Sequence, residues 1–376
     1  MALDWTDALV RAPKGSVPSP LFRWNDERSM VCDEVVDRVC RRLISGAPSG
    51  GVAELLSEAA YEELARLEDR GEPGGRSAAR WHQLAHSVAL ARDEENADQL
   101  RALAREIVEG TVGVFRPWMF KFATRALPAG IAAALSRQAR SSRVTSGARL
   151  SELGQRVRVE GPVAQLRALA QRGTLVFTPT HASHVDNLLT GWAIHQAGLP
   201  AVVYGAETSL FANPLTGPVV ANVGAYRVDR RTRHTVYKDV LKELSQCLVE
   251  RGYHTMFFPT GMRSRTNQVD GRLKLGLLGT AVNAFVRKTV GEQRRPDVFV
   301  VPMSIDYQNI LEAETLVDDF MRHGAGARTI IEHDEFSDPV RLATYVRSAL
   351  DLEAPVRVRF SDPIDVFGNR VDDEGR

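Results

Sequence analysis

The sequence predicts an α/β fold: a mostly parallel sheet with helices on both faces, preceded by an all-helical N-terminal domain. Two observations carry that expectation. Apolar residues recur at three-to-four spacing through the first part of the chain, and no β-rich run occurs before about residue 156. Beyond that point, short runs rich in Val, Ile, Thr and Phe alternate with helical patterns, the texture of a sheet built from strand–helix–strand units. The change of texture divides the chain into a helical domain over 1–145 and an α/β domain over 146–376.

Helices are expected over 29–44, 52–67, 78–91 and 97–108, separated by Gly-rich breaks at 46–51 and 71–75. Segment 111–135 is rich in Val, Phe, Trp, Ala and Leu but is interrupted by Arg116, Pro117, Lys121, Arg125 and Pro128. It reads as a pair of core-facing helices or as an interfacial segment, with Trp118 and the cations at headgroup level in peripheral contact with a membrane. Strands are expected over 174–178, 201–204, 225–228, 255–258 and 298–305, with a last one over 355–360. Helical patterns fall between them at 185–196, 235–250 and 275–287. The polar end of the chain, from about residue 369, is expected to fray.

With 376 residues and 44% hydrophobic content the chain can fill sizeable cores. A net charge of +1 makes no global case for nucleic acid or a strongly acidic partner. Cys32, Cys40 and Cys247 are too few and too scattered for a disulfide framework, and they read as core thiols. Residues 1–10 carry two aspartates and no apolar h-region, and no run of eighteen apolar residues follows. The expectation is a cytoplasmic protein, with 111–135 as its candidate contact with the inner face of a membrane.

Chemistry enters at Val176-Phe177-Thr178-Pro179-Thr180-His181-Ala182-Ser183-His184-Val185-Asp186. A buried strand ends in a Pro-containing turn that delivers His181, and Asp186 follows at the start of a helix. A carboxylate behind an imidazole fixes its tautomer and stabilises the imidazolium, which suits a general base acting on a hydroxyl. His184 shares the loop, either positioning substrate or donating to a backbone carbonyl. Three further blocks follow at strand ends: Gly224 to Arg231, Phe257 to Arg265 and Val300 to Tyr307. Between Val223 and Leu275 eleven Lys and Arg face five acids, a local net of +6. Lys238, Lys242 and Arg251 read as helix-face charges. Arg230, Arg263 and Arg265, set in loops straight after strands, suit bidentate binding of phosphate over structural ion pairs. The pattern His181-x-x-His184-x-Asp186 also suggests a metal site. Binuclear hydrolases, however, place two histidines two apart and a third directly after the aspartate, where this chain has Asn187.

The four blocks, in order and spacing, resemble the four motifs of the glycerolipid acyltransferase family, over roughly residues 174–310. His181 to Asp186 is similar to its histidine–four residues–aspartate motif, and Val228-Asp229-Arg230 to the second. Phe258-Pro259-Thr260-Gly261-Met262-Arg263-Ser264 is similar to the third, and Val301-Pro302 to the fourth. The resemblance implies a phospholipid-biosynthetic acyltransferase. His181, oriented by Asp186, would deprotonate a phosphorylated glycerol acceptor for attack on acyl-CoA or an acyl-carrier protein thioester. Arg230 and Arg263 would hold the phosphate, with Thr260, Gly261, Ser264 and Arg265 beside them. Neither a metal nor a cofactor beyond the acyl donor is implied. The Ser183-His184 insert, the run Arg263 to Thr266 and the Asp306-Tyr307 pair look most like the glycerol-3-phosphate branch, with lysophosphatidate or another lipid alcohol as the alternative acceptor. Two positions depart from the family's pattern: Thr260 stands where a glutamate is usual, and Arg227 where an apolar residue is usual. They imply a shifted acceptor preference or, as a rival class, a catalytically silent lipid- or acyl-binding protein.

Overall fold

The computed structural model describes residues 15–47, 51–71, 74–126, 157–183, 185–212, 216–264, 273–291, 297–307, 310, 313–323 and 356–376. The expected domain boundary near residue 145 lies outside them. Four long helices come first: α1 (Trp24–Ser45), α2 (Gly51–Asp69), α3 (Arg76–Leu90) and α4 (Asp93–Thr111). Three contain the expected patterns over 29–44, 52–67 and 97–108, and α3 holds all of 78–91 but its last residue, Ala91. The periodicity is visible in α1, where Val31, Val35, Val39 and Leu43 form one buried stripe. A short helix α5 (Pro117–Lys121) follows, continued by a π-helical turn over Phe122–Ala126.

The sheet runs β1 (Val157–Glu160), β7 (Val356–Phe360), β6 (Val298–Asp306), β2 (Thr174–Pro179), β5 (Thr255–Met256), β3 (Val203–Glu207), β4 (Ala225–Val228). All neighbours are parallel except β7 and the two-residue β8 (Ile364–Asp365), which pair with β6 in the antiparallel sense. Helices α6 (Val163–Arg172) and α7 (Asp186–Gln196) cover one face. The short α8 (Thr208–Ala212) and α9 (Gly217–Val220) join the same core through Leu210 and Val220, and on the other face lie α10 (Thr235–Glu250) and α11 (Leu275–Val290). The last described helix is α12 (Ala313–His323). Side chains alternate as a strand requires. Leu175 and Phe177 of β2 enter the core under α6 and α7, whereas Val176 between them packs toward α11.

The N-terminal helices pack on the outer side of α10. One continuous apolar cluster takes in Val31, Val35, Leu56, Leu100 and Val108, then Val236, Val240 and Leu244 of α10 and Val203 of β3. Charge crosses the same seam. Arg38 of α1, largely buried, lies 3.2 Å from Glu243 and 2.7 Å from Glu250, both on α10. Burial opposes the charge of Arg38, but the Glu250 carboxylate outweighs that and holds its pKa above the ordinary value. The three cysteines are buried and free, and burial pushes Cys247 up to about 12.

Two strand expectations shift. The run 201–204 pairs only from Val203 and continues to Glu207, because the register against β4 is Tyr204↔Ala225 through Glu207↔Val228. The run 255–258 pairs only over Thr255–Met256: Phe257 still donates to the Phe177 carbonyl at 3.1 Å, and Pro259, lacking an N–H, follows close behind. The polar end does not fray. The Gln165 amide donates to the Val371 carbonyl and Arg172 to that of Glu374, both at 3.0 Å. The Asp365 and Asp372 carboxylates gather backbone N–H groups, and Val371 packs against the sheet core.

Two buried histidines work as neutral acceptors. His234 caps α10, its Nδ1 taking the Tyr237 N–H at 3.2 Å, and His254 Nδ1 takes the Leu175 N–H at 3.0 Å. Burial pushes them from 6.5 down to about 4 and about 3, helped by Lys238 and Arg66 in one case and Lys288 in the other. A folded pKa below the unfolded one means that unfolding takes up a proton, so stability falls as pH drops from 6.5 toward those values. The slope per histidine is at most about 1.4 kcal/mol per pH unit. His234→Ser keeps a capping acceptor that does not titrate. Its melting temperature, followed by calorimetry from pH 6.5 to 4.5, should decline less steeply than that of the parent; equal slopes would remove His234 from the account.

Candidate active site

His181 stands just past the C-terminal end of β2, near the middle of the sheet, where open α/β sheets place their working groups. The loop is tied to β6 on both sides of Thr180. The Thr180 N–H donates to the Met303 carbonyl and the Ile305 N–H to the Thr180 hydroxyl, each at 3.0 Å. The imidazole is 6% exposed and its Nδ1 lies 2.9 Å from Asp186 Oδ2. That same oxygen accepts the backbone N–H groups of Ala182 at 2.7 Å and Ser183 at 2.9 Å. The other carboxylate oxygen accepts the Tyr307 hydroxyl. Asp186 is fully buried and opens α7, so four donors and a helix N-terminus surround one negative charge. A carboxylate at Nδ1 assigns the proton there and the lone pair to Nε2.

Phe258 stacks on the imidazole, with ring centroids 4.1 Å apart and planes at 24°. The third block is joined to the histidine directly, because the Ser264 N–H donates to the His181 carbonyl at 2.7 Å. Within that block Gly261 has φ 70°, a left-handed conformation that favours glycine, and the Lys274 side chain lies over it. The Thr260 hydroxyl donates to the Met262 carbonyl at 2.8 Å, closing the turn on itself. Arg263 is half-buried at its end. Arg265 and His184 lie outside the described residues.

Arg230 follows β4 and reaches Glu207 at the end of β3, Nη1 to Oε2 3.6 Å. β4 is three places from β2 in the sheet, about 14 Å at ordinary strand spacing. The structure therefore gathers His181, Asp186 and the turn Pro259 to Ser264 into one bonded group and sets Arg230 to its side. Arg227, the second departure from the family's pattern, lies over the Phe211 ring with Cζ 4.5 Å from its centroid. Two participants were not read as site residues from the sequence: Tyr307, a hydrogen-bond donor to Asp186, and Phe258, the ring against His181. A signal existed for both, since each belongs to a block singled out by its position after a strand.

An apolar pocket opens beside α7, lined by Asn187, Gly191 and Trp192 of that helix, Tyr204 and Met256 of the sheet, and Phe120. Of segment 111–135, the described part is not a pair of helices. Phe115 forms a bridge with Val223, and a Cβ on Gly113 would lie 1.9 Å from the Ala225 carbonyl oxygen, so the chain passes the sheet edge in extended form. After it, Trp118 (59%) and Phe122 (42%) are exposed while Met119 is buried. Residues 127–135 lie outside the described part. No described helix is long and apolar enough to cross a membrane. Among the described residues, no three His, Cys, Asp or Glu side chains gather in a group able to hold a metal ion.

Residues 156–306 match the acyltransferase family, a stretch that begins one residue before β1 and ends with β6. Over that stretch the chain is similar to acyltransferases, and the relatives it resembles are glycerol-3-phosphate acyltransferases. A glycerol-3-phosphate acyltransferase of Pseudomonas paraeruginosa is 31% identical over 163 residues, 42% of this chain and 18% of the relative. One of Xylella fastidiosa is 34% identical over 151 residues, 39% of this chain and 16% of the relative. One of Pseudoalteromonas atlantica is 27% identical over 234 residues, 55% and 28% respectively. The matches thus span less than a third of each of these relatives.

Proposed function

We propose that the protein transfers a fatty acyl group from a thioester of coenzyme A or acyl-carrier protein to the hydroxyl of a phosphorylated glycerol, glycerol 3-phosphate foremost. The observation that carries this reading is the His181–Asp186 pair, in which a buried carboxylate holds Nδ1 and so directs the ring's lone pair to Nε2. His181 Nε2 takes the acceptor's hydroxyl proton as the oxygen attacks the thioester carbonyl. The tetrahedral intermediate then collapses, the C–S bond breaks, and the imidazolium returns the proton to the leaving sulfur. Asp186 stabilises that imidazolium. Arg230 and Arg263 bind the acceptor's phosphate, and the pocket beside α7 has the apolar lining that an acyl chain requires.

Thr260 favours a second acceptor. Its hydroxyl is spent on the Met262 carbonyl and it brings no negative charge, so the alcohol can be a lysophosphatidate or another lipid alcohol. The test is direct. Purified protein is given a radiolabelled acyl thioester with glycerol 3-phosphate, lysophosphatidate, dihydroxyacetone phosphate or plain glycerol. Label should pass to a phosphorylated acceptor and not to glycerol. Transfer to none of them sinks the enzyme reading and leaves a lipid- or acyl-binding protein.

A further inference from the structure

Helix α2 reaches the second block from the helical side of the molecule. Arg66 Nη1 lies 3.5 Å from Asp229 Oδ2, while its Nε donates to Glu63 Oε2 at 2.9 Å. Glu63 is 3% exposed, so the guanidinium is seated on a buried carboxylate with one nitrogen directed at the loop. The other oxygen of Asp229 accepts the Arg231 N–H at 2.9 Å, and the Asp229 N–H donates to the Tyr237 hydroxyl at 2.6 Å. Two turns before Arg66, Glu58 accepts the Thr235 hydroxyl at 3.1 Å, anchoring the start of α10 to the same helix. Arg230 is the residue between these fixed points, extended toward Glu207.

We propose that Arg66 is a positioning residue: by holding Asp229 it aims Arg230 at the acceptor's phosphate, so acceptor affinity is set from the helical region. The inference rests on the proposed function, which supplies the phosphate. An isolated ion pair at the surface is worth little to stability. Here both side chains are more than three-quarters buried and chained to a buried glutamate, and what the pair fixes is the direction of a neighbouring side chain.

The experiment uses the full chain and four variants, Arg66→Ala, Arg66→Lys, Arg230→Ala and the Arg66→Ala/Arg230→Ala double variant, measuring kcat and KM for both substrates alongside the melting temperature. Arg66→Ala should raise the KM for glycerol 3-phosphate on the order of 10-fold, with kcat within about twofold and the donor KM unchanged. Arg66→Lys should recover part of the loss, since an ammonium keeps the charge without the planar fork. In an Arg230→Ala background, Arg66→Ala should add nothing. A fall in kcat at constant acceptor KM would mark Arg66 as merely structural and overturn the inference. So would an unchanged KM in Arg66→Ala beside a raised one in Arg230→Ala. An unchanged KM in Arg230→Ala removes the phosphate site itself, and the inference with it. Should Arg66→Ala fold poorly, Arg66→Lys and Asp229→Asn carry the same comparison.

Discussion

His181→Ala should abolish acyl transfer, a loss on the order of 10⁴-fold or more in kcat, with the melting temperature nearly unchanged. The imidazole is the basic group that Asp186 holds and orients, and alanine supplies no base in its place. Asp186→Asn isolates the second half of the pair. An asparagine can turn its oxygen toward His181, Ala182 and Ser183 and its amide toward the Tyr307 hydroxyl, which can accept. Hydrogen bonding then survives and only the charge is lost, so the fold should hold. The imidazolium that forms in mid-reaction loses its counter-charge, and kcat should fall about 10³-fold at saturating substrate, with little change in KM. Transfer undiminished in His181→Ala would remove its role as base. A drop in Asp186→Asn confined to KM would instead make the carboxylate a substrate-binding group.

The second large effect is on stability. Arg38→Leu removes the cation within 3.2 Å of both Glu243 and Glu250, 4% and 8% exposed, and leaves them the more exposed Arg42, 3.0 Å from Glu243, and Arg287, 3.8 and 3.9 Å from the pair. Removing one partner from a buried cluster costs about 3 kcal/mol, because the remaining charges stay desolvated. In a chain of this size that corresponds to a melting point lower by roughly 4 °C. Combining Arg38→Leu with Glu243→Gln and Glu250→Gln should restore most of the loss, since neutral amides need no counter-ion. Scanning calorimetry of the single and triple variants decides it. A loss below about 1 kcal/mol in the single variant would place these carboxylates in contact with water.

Much of this molecule was legible in the sequence, and the reasons differ by element. Helices α1 to α4 declared themselves by period, since a buried stripe such as Val31, Val35, Val39 and Leu43 repeats four residues apart over several turns. The parallel strands were visible as short apolar runs, but their ends were not. Pairing, not composition, decides where a strand stops, which is why β3 begins at Val203 and β5 ends at Met256. The pairing of His181 with Asp186 followed from a strand end, a turn and a helix start lying within one short segment. Tyr307 did not, because a residue 121 positions from Asp186 can be brought to it only by the sheet order that sets β6 beside β2. The docked C-terminal turns escaped for a similar reason: their anchors, Gln165 and Arg172, lie some 200 residues earlier.

The short loop between β2 and α7 acts as a ruler. Ala182 and Ser183 turn their N–H groups inward on a single oxygen of Asp186, and the helix begins only where that oxygen has been captured. The same oxygen sets the direction of the His181 ring. The number of residues between the two side chains is therefore tied to the start of a helix as well as to chemistry. Insertion of one residue would rotate the carboxylate about 100° around the axis of α7 and break its bonds to both backbone groups and to the imidazole at once. A chain that must form this loop in order to start its helix builds the base in the act of folding.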